Sequence, residues 1–191
     1  VEQELGVELR MWLSDPRAAA LSERRRFIAG PTGCGLCGID SLSEAMRMPS
    51  AISDDSSFSA EQIMAAVHSV SDSQWLHQHT RAVHGAALWA PADGLVAIRE
   101  DVGRHNALDK LTGALARAHR SGRGGIVVMT SRVSVELIQK AAVAKFPVLV
   151  AVSAPTALAV RMAEAAGITL AAVARRDGFE IFTHPYRIRK A

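Results

Sequence analysis

Hydrophobic positions along the chain switch repeatedly between strand and helix spacing. Segments 126–130 (IVVMT), 147–153 (PVLVAVS) and 168–175 (ITLAAVAR) are short, nearly unbroken apolar runs, the pattern of strands covered on both faces. Between them, 133–145 and 155–167 carry apolar residues at helical spacing, with Pro155 in the first turn of the second. Residues 104–120 predict a third helix, stopped by the glycines of 122–125. Upstream, 82–90 and 95–101 read as two strands joined at Pro91-Ala92-Asp93-Gly94, and 178–184 reads as a last strand at the sheet edge. Ser59 and Gln62 form a capping box that starts a helix to about Ser71, with Ile63, Met64, Val67 and Val70 on one face. A short helix follows over 73–80. Nearer the start, 5–13 alternates like a strand, Ser14-Asp15-Pro16 turns into a helix over 17–28, and 29–38 is a glycine-rich loop. A short helix over 42–47 and a polar loop over 48–58 complete the chain. Strands alternating with helices of this length predict an α/β protein with a mixed, largely parallel sheet and helices on its faces.

Composition narrows the function. Hydrophobic residues make up 49% of 191 residues, which excludes a disordered chain. No apolar run approaches the roughly 18 residues of a membrane span, so a soluble chain with no membrane partner is expected. No basic-then-apolar leader argues for export, so a cytoplasmic location is expected. The chain opens on Val1 rather than Met, and the 5–13 strand has no partner before it, so the expectation is a piece of a longer protein. Net charge is +3, with basic residues gathered at Arg24-Arg25-Arg26, Arg175-Arg176, and Arg187, Arg189 and Lys190. Aromatics are only 5%, against the stacking platforms of single-strand binders, so no nucleic-acid partner is expected.

The two cysteines, Cys34 and Cys37, both stand in GPTGCGLCG over 30–38. A thiolate is nucleophile and metal ligand alike and needs access. Glycines strip side-chain cover from it and free the backbone. Three readings compete. The cysteines are incidental or form a passive disulfide. Alternatively they are half of a zinc site completed by His77 and His79, or by His84 and His105, although a lone C-x-x-C is half a signature. In the third reading the loop carries sulfur as a persulfide. A thioredoxin-type exchange fits poorly, because this C-x-x-C does not follow the first strand of a β-α-β unit.

Two further clusters carry chemistry. REDVGRHNALDK (99–110) packs Glu100, Asp101, Arg104, His105, Asn106, Asp109 and Lys110 around a strand-to-helix turn at Gly103. Such turns, at the carboxyl ends of parallel strands, are where open α/β sheets bind ligands. MTSRVSVE (129–136) and VSAPT (152–156) each place hydroxyls at a helix start, Ser131 with Arg132 in one and Ser153 with Thr156 in the other. On adjacent strands these would face one crevice and take a phosphorylated ligand. Neither a P-loop nor G-x-G-x-x-G occurs. His84 reads either as a hydrogen-bonded core histidine or as part of the site.

These motifs, in this order, resemble the FdhD/NarQ family of formate dehydrogenase accessory sulfurtransferases. The resemblance rests on GPTGCGLCG (30–38), AVHGAALW (82–89), EDVGRHNALDK (100–110), TSRVSVELIQKAA (130–142), SAPTALAVRMAEAAGITL (153–170) and FEIFTHPYRI (179–188). It implies a cytidine deaminase-like three-layer α/β/α domain over 49–191, preceded by a segment over 1–48 that bears the C-x-x-C loop. The family's first part would be missing. The resemblance further implies that a cysteine desulfurase donates sulfur to Cys34 as a persulfide, with Cys37 assisting. The sulfur would pass to the molybdenum cofactor, Mo-bis-molybdopterin guanine dinucleotide, bound as substrate and destined for formate dehydrogenase. No resident metal is implied, and the deaminases' zinc signature is not reproduced around His84. The cofactor segment aligns with Phe179, Glu180, Ile181, Phe182, Thr183 and His184. Arg104, His105, Ser131, Arg132, Ser153 and Thr156 would join it, and Arg175, Arg176 and Arg187 would help hold phosphate. A homodimer is implied as well. The alternative is a chaperone that holds the cofactor without sulfur chemistry.

Overall fold

The computed structural model describes residues 2–3, 6–7, 12–23 and 49–189. The chain divides into two units, Val1–Arg47 and Met48–Ala191, each described by itself. In the first, β1 (Glu2–Gln3) and β2 (Gly6–Val7) pair antiparallel, and α1 spans Asp15–Glu23. Pro16 occupies its first turn, where a missing N–H costs nothing, and the Ser14 carbonyl accepts from the N–H groups of Arg17 and Ala18 at 2.9 Å. Of the strand expected over 5–13, the described residues are Gly6 and Val7, which are strand and pair with Gln3 and Glu2, and Trp12 and Leu13, which are exposed and outside any strand. The C-x-x-C loop with Cys34 and Cys37, and the helix expected over 42–47, lie outside the described residues.

The second unit is built on a six-stranded mixed sheet. Its strands are β4 (His84–Ala90), β5 (Gly94–Asp101), β6 (Ile126–Met129), β7 (Val148–Ala151), β8 (Thr169–Ala172) and β9 (Glu180–Ile181), in spatial order β5-β4-β6-β7-β8-β9. β4 runs antiparallel to both β5 and β6, β6 through β8 are parallel, and β9 returns antiparallel. Four of the six strands therefore share one direction, as the alternation of apolar runs and helices predicted. The connecting helices are α4 (Arg104–Arg117), α5 (Val135–Val143) and α6 (Ala157–Ala165). Each joins strands of common direction, and right-handed crossovers in one sense put all three on the same face.

The other face is covered by α2 (Ala60–Ser73). Ser59 caps it as expected: its Oγ accepts from Gln62 N–H at 3.3 Å, and Gln62 Oε1 accepts from Ser59 N–H at 2.9 Å. Ile63, Ala66, Val67 and Val70 of α2 pack with Ala87, Trp89, Ile126, Val128, Val148, Val150 and Ala171 from the sheet. Along each strand these alternate with residues that face α4 to α6, the period-two rule of a pleated sheet. Each fully buried large apolar side chain in this layer contributes about 1.5–3 kcal/mol. The result is the expected α/β/α sandwich. A pair of two-residue strands, β3 (Phe58–Ser59) and β10 (Ile188–Arg189), is parallel and separate from the main sheet. It carries no signal that could be read in advance, because two residues show no period.

The last edge strand is shorter than its apolar pattern. After β9, Phe182 N–H still donates to Leu170 O at 2.8 Å, but Thr183 then bonds through its side chain. Its Oγ1 accepts from Leu170 N–H at 2.9 Å and donates to Ile168 O at 2.7 Å. A hydroxyl thus replaces a peptide in the ladder, and the strand geometry stops.

Candidate functional site

The carboxyl ends of β5, β6, β7 and β8 lie along one edge of the sheet, and β4, running the other way, begins there. His84 opens β4 directly opposite Asp101, the last residue of β5. Three strand-to-helix turns and the β8–β9 loop converge on this edge.

The turn after β5 is held by its own acids. Asp101 Oδ1 accepts from Gly103 N–H at 2.8 Å and from Asn106 Nδ2 at 3.2 Å, and its Oδ2 pairs with Lys110 Nζ at 2.6 Å. Burial by itself raises the Asp101 pKa, but Lys110, the Gly103 amide and Asn106 together outweigh it and hold the carboxyl below its ordinary value. Glu100 is also committed. Its carboxylate accepts from Leu76 N–H at 2.8 Å and His77 N–H at 2.9 Å, capping the short helix α3 (Trp75–Thr80). Gln74, buried beneath β4, reaches Glu100 Oε1 at 3.5 Å. Gly85 makes room for it, since a Cβ there would stand 2.8 Å from Gln74 Nε2.

The turns after β6 and β7 are stitched together by an isolated parallel bridge between Val133 and Pro155. Val133 N–H donates to Ala154 O, and Thr156 N–H donates to Val133 O. Thr130 Oγ1 accepts from Gly85 N–H at 2.8 Å, tying the turn to β4. Of the four residues expected to receive a phosphate here, two are otherwise engaged. The Ser131 hydroxyl is buried and donates to Arg132 O at 3.0 Å. The Thr156 hydroxyl caps α6 by accepting from Ala159 N–H at 3.2 Å. Ser153 is half-buried and its carbonyl accepts from Val173 N–H, while Arg132 is exposed. The positive end of α5 is met by a carboxylate of the protein itself, Glu136, in the first turn. His105 Nε2 lies 3.0 Å from Glu136 Oε2.

Positive charge gathers between these turns. The His84 imidazole has a lowered pKa, first because burial disfavours its charged form, then because Arg104, His77 and Arg132 repel a proton there. Two arginines and two imidazoles therefore share one electrostatic neighbourhood. The acids nearby, Glu100, Asp101 and Glu136, already have the partners just named. Arg175 lies over the ends of β7 and β8, donating to Val152 O at 2.6 Å and Ala174 O at 3.0 Å, and Arg176 is exposed next to it. Such an edge attracts and orients a polyanion.

The segment 179–184 does not gather at this edge as one group. β9 runs antiparallel to β8, so the segment crosses the sheet. Phe179 packs against the core, Glu180 pairs opposite Ala172, and Ile181 and Phe182 line the exposed edge. Thr183 and His184 reach the amino end of β8, where Thr183 is buried and His184 O accepts from Thr169 Oγ1 at 2.8 Å. Arg187 was expected to hold phosphate, and the structure corrects this. Its side chain is 2% exposed and donates to Asp54 O, Gly167 O and Thr169 Oγ1 at 3.0, 2.8 and 3.2 Å, far along the chain's other edge. Of the histidines weighed as zinc ligands, His77 Nδ1 bonds to Val83 O, His79 Nδ1 to Trp75 O, and His105 Nε2 faces Glu136. No group of three or more metal-ligating side chains occurs among the described residues.

The model of the FdhD/NarQ family matches residues 2–189. The chain belongs to this family. It is 53% identical over 189 residues to the sulfur carrier protein FdhD of Agrobacterium fabrum, covering 98% of this chain and 70% of the relative. It is 48% identical over 188 residues to the sulfur carrier protein FdhD of Cupriavidus necator, covering 98% of this chain and 65% of the relative. Among solved structures, a protein from Desulfotalea psychrophila described as a formate dehydrogenase accessory protein superposes with a TM-score of 0.70 at 29% identity, covering 76% of this chain and 62% of that one. This FdhD/NarQ chain thus spans about two thirds of the length of these relatives. No helix among its described residues is long and apolar enough to cross a membrane.

Two residues central to the edge were not assigned a role from sequence. Glu136 sits in a first helical turn, where an acid reads as ordinary dipole complementation, and Gln74 sits between two helices with no motif around it. Only the tertiary partners His105 and Glu100 reveal them.

Proposed function

We propose that this chain is a sulfur carrier that loads sulfur onto the molybdenum cofactor on behalf of formate dehydrogenase, acting in the cytoplasm as a homodimer. The observation that supports this is the gathering of Arg104 and Arg132 around His84 at the carboxyl edge, in a chain about half identical to proteins named sulfur carrier FdhD. A guanine dinucleotide form of molybdopterin carries several phosphates, and this edge offers guanidinium donors with nearby acids already paired. Cys34 is the carrier. Its thiolate attacks the outer sulfur of a persulfide on a cysteine desulfurase, a new Sγ–S bond forms, and the donor's thiolate leaves. Cys37 protects or resolves the persulfide. The cofactor is cargo, held by Arg104, Arg132, His105 and Ser153 with Arg175 and Arg176 at the rim.

The cation cluster lies wholly within Met48–Ala191, whereas the cysteines lie within Val1–Arg47, so holding and sulfuration are separable by mutation. Incubation with desulfurase and cysteine is expected to add the mass of one sulfur to Cys34, reversibly on reduction, and Cys34→Ala is expected to abolish both the adduct and activation of formate dehydrogenase. Activation by a Cys34→Ala/Cys37→Ala double variant would sink the sulfur step and leave the chaperone reading. Titration with guanosine diphosphate tests the cation cluster independently of the thiols.

A further inference from the structure

His105 and Glu136 are each the second residue of a helix, and the two helices start on neighbouring turns of the carboxyl edge. We propose that Glu136 is a positioning residue that fixes the ring of His105 for contact with the bound nucleotide. The proposal rests on the reading of this edge as the cofactor site.

His105 Nε2 stands 3.0 Å from Glu136 Oε2 and 3.4 Å from Ser134 Oγ. Glu136 is 7% and Ser134 8% exposed. An ionised carboxylate only accepts, so the proton of the ring must sit on Nε2, facing Glu136. Nδ1 is then the nitrogen left for a ligand. In the neutral ring it presents a lone pair, and in the protonated ring it is an N–H donor suited to a phosphate oxygen. This is the arrangement by which a buried carboxylate selects the tautomer and orientation of a working imidazole. Glu136 is a positioning residue in this reading because a carboxylate in direct contact with phosphate would repel it, whereas its contact with His105 Nε2 orients the ring.

The test combines a spectroscopic readout with a thermodynamic one. In protein labelled with ¹⁵N-histidine, the His105 Nε2 proton is expected downfield and slow to exchange. Glu136→Gln, with a neutral acceptor of the same reach, moves it upfield, and His105→Ala removes it. By calorimetric titration with guanosine diphosphate, His105→Ala and Glu136→Gln each weaken binding about tenfold, and the double variant is no weaker than the worse single one, the non-additivity of a coupled pair. Glu136→Asp keeps the charge, guards against a folding defect in the neutral variant, and shows the same loss because its oxygens are drawn back by a methylene. An Nε2 proton unmoved in both Glu136 variants overturns the assignment, as do losses that multiply to about a hundredfold. If the unsubstituted protein does not bind guanosine diphosphate, the cofactor-site reading fails, and the Nε2 proton signature decides whether Glu136 positions the ring.

Discussion

The two ends of the sheet both concentrate arginine, histidine and threonine, yet they use them in opposite ways. At the amino end of β8, Arg187 is buried and gives its donors to two backbone carbonyls and a threonine hydroxyl, while Thr183 completes the ladder of β8. At the carboxyl end, Arg132 is exposed, and burial, then Arg104, His77 and Arg132, depress the proton affinity of His84, while the neighbouring acids are held by other partners. The same side chains thus close one end of the sheet and charge the other. What separates them is burial. The returning segment carries Arg187 inward to the carbonyls of Asp54 and Gly167. Where three turns diverge from the strand ends, Arg132 and Arg175 stay exposed, Arg175 even with two carbonyls in reach.

The largest effect is expected at the closed end. Arg187→Ala strands three acceptors in a buried setting and should cost about 3 kcal/mol or more in chemical denaturation, with Arg187→Lys only a partial rescue because ammonium cannot fork between carbonyls. Next, Arg132→Ala at the open end should weaken guanosine diphosphate at least about tenfold by calorimetry while shifting stability by less than about 0.5 kcal/mol. Equal stability losses from the two arginine variants would erase the contrast between the ends. Glu100→Ala is intermediate in kind. It should destabilise by about 1–2 kcal/mol, with faster hydrogen exchange confined to the amides of Leu76 and His77, which lose their acceptor.

The smallest and most diagnostic effect is in pH. Because the folded protein holds the His84 pKa below its ordinary value, the unfolded chain takes up that proton more readily. The contribution of His84 is therefore whole above the ordinary imidazole value of about 6.5 and is lost as pH falls through its folded value. A bound phosphate offsets the charges of Arg104 and Arg132, so guanosine diphosphate should raise the His84 pKa, seen as an upward shift of its ring resonances' titration midpoint. A midpoint that is unmoved at saturating nucleotide would place the ligand elsewhere.

Much of this arrangement was legible beforehand, and particular residues show why. The capping box at Ser59 and Gln62, the turn at Gly94, and the apolar runs of β6, β7 and β8 are local features, set by neighbours within a few positions. The clustering of Arg104 and His105 behind Gly103 was equally visible, since one short stretch holds them all. The commitments of Ser131 and Thr156 were not. A hydroxyl at a helix start reads identically whether it caps, turns inward or waits for phosphate, and only its surroundings choose. The path of 179–184 was hidden for a similar reason: its apolar residues announce an edge strand, but not that the strand runs against β8 and so carries Thr183 and His184 away from the site.

By itself, then, the order of amino acids determined the elements, the layer architecture and the family, because periodicity and motifs are properties of adjacent residues. Tertiary structure decided which charges are spent and which remain. Arg187 meets Asp54 and Gly167, and His105 meets Glu136, across separations of 133, 20 and 31 positions, and partners so distant are chosen only when the strands have paired and the helices have docked.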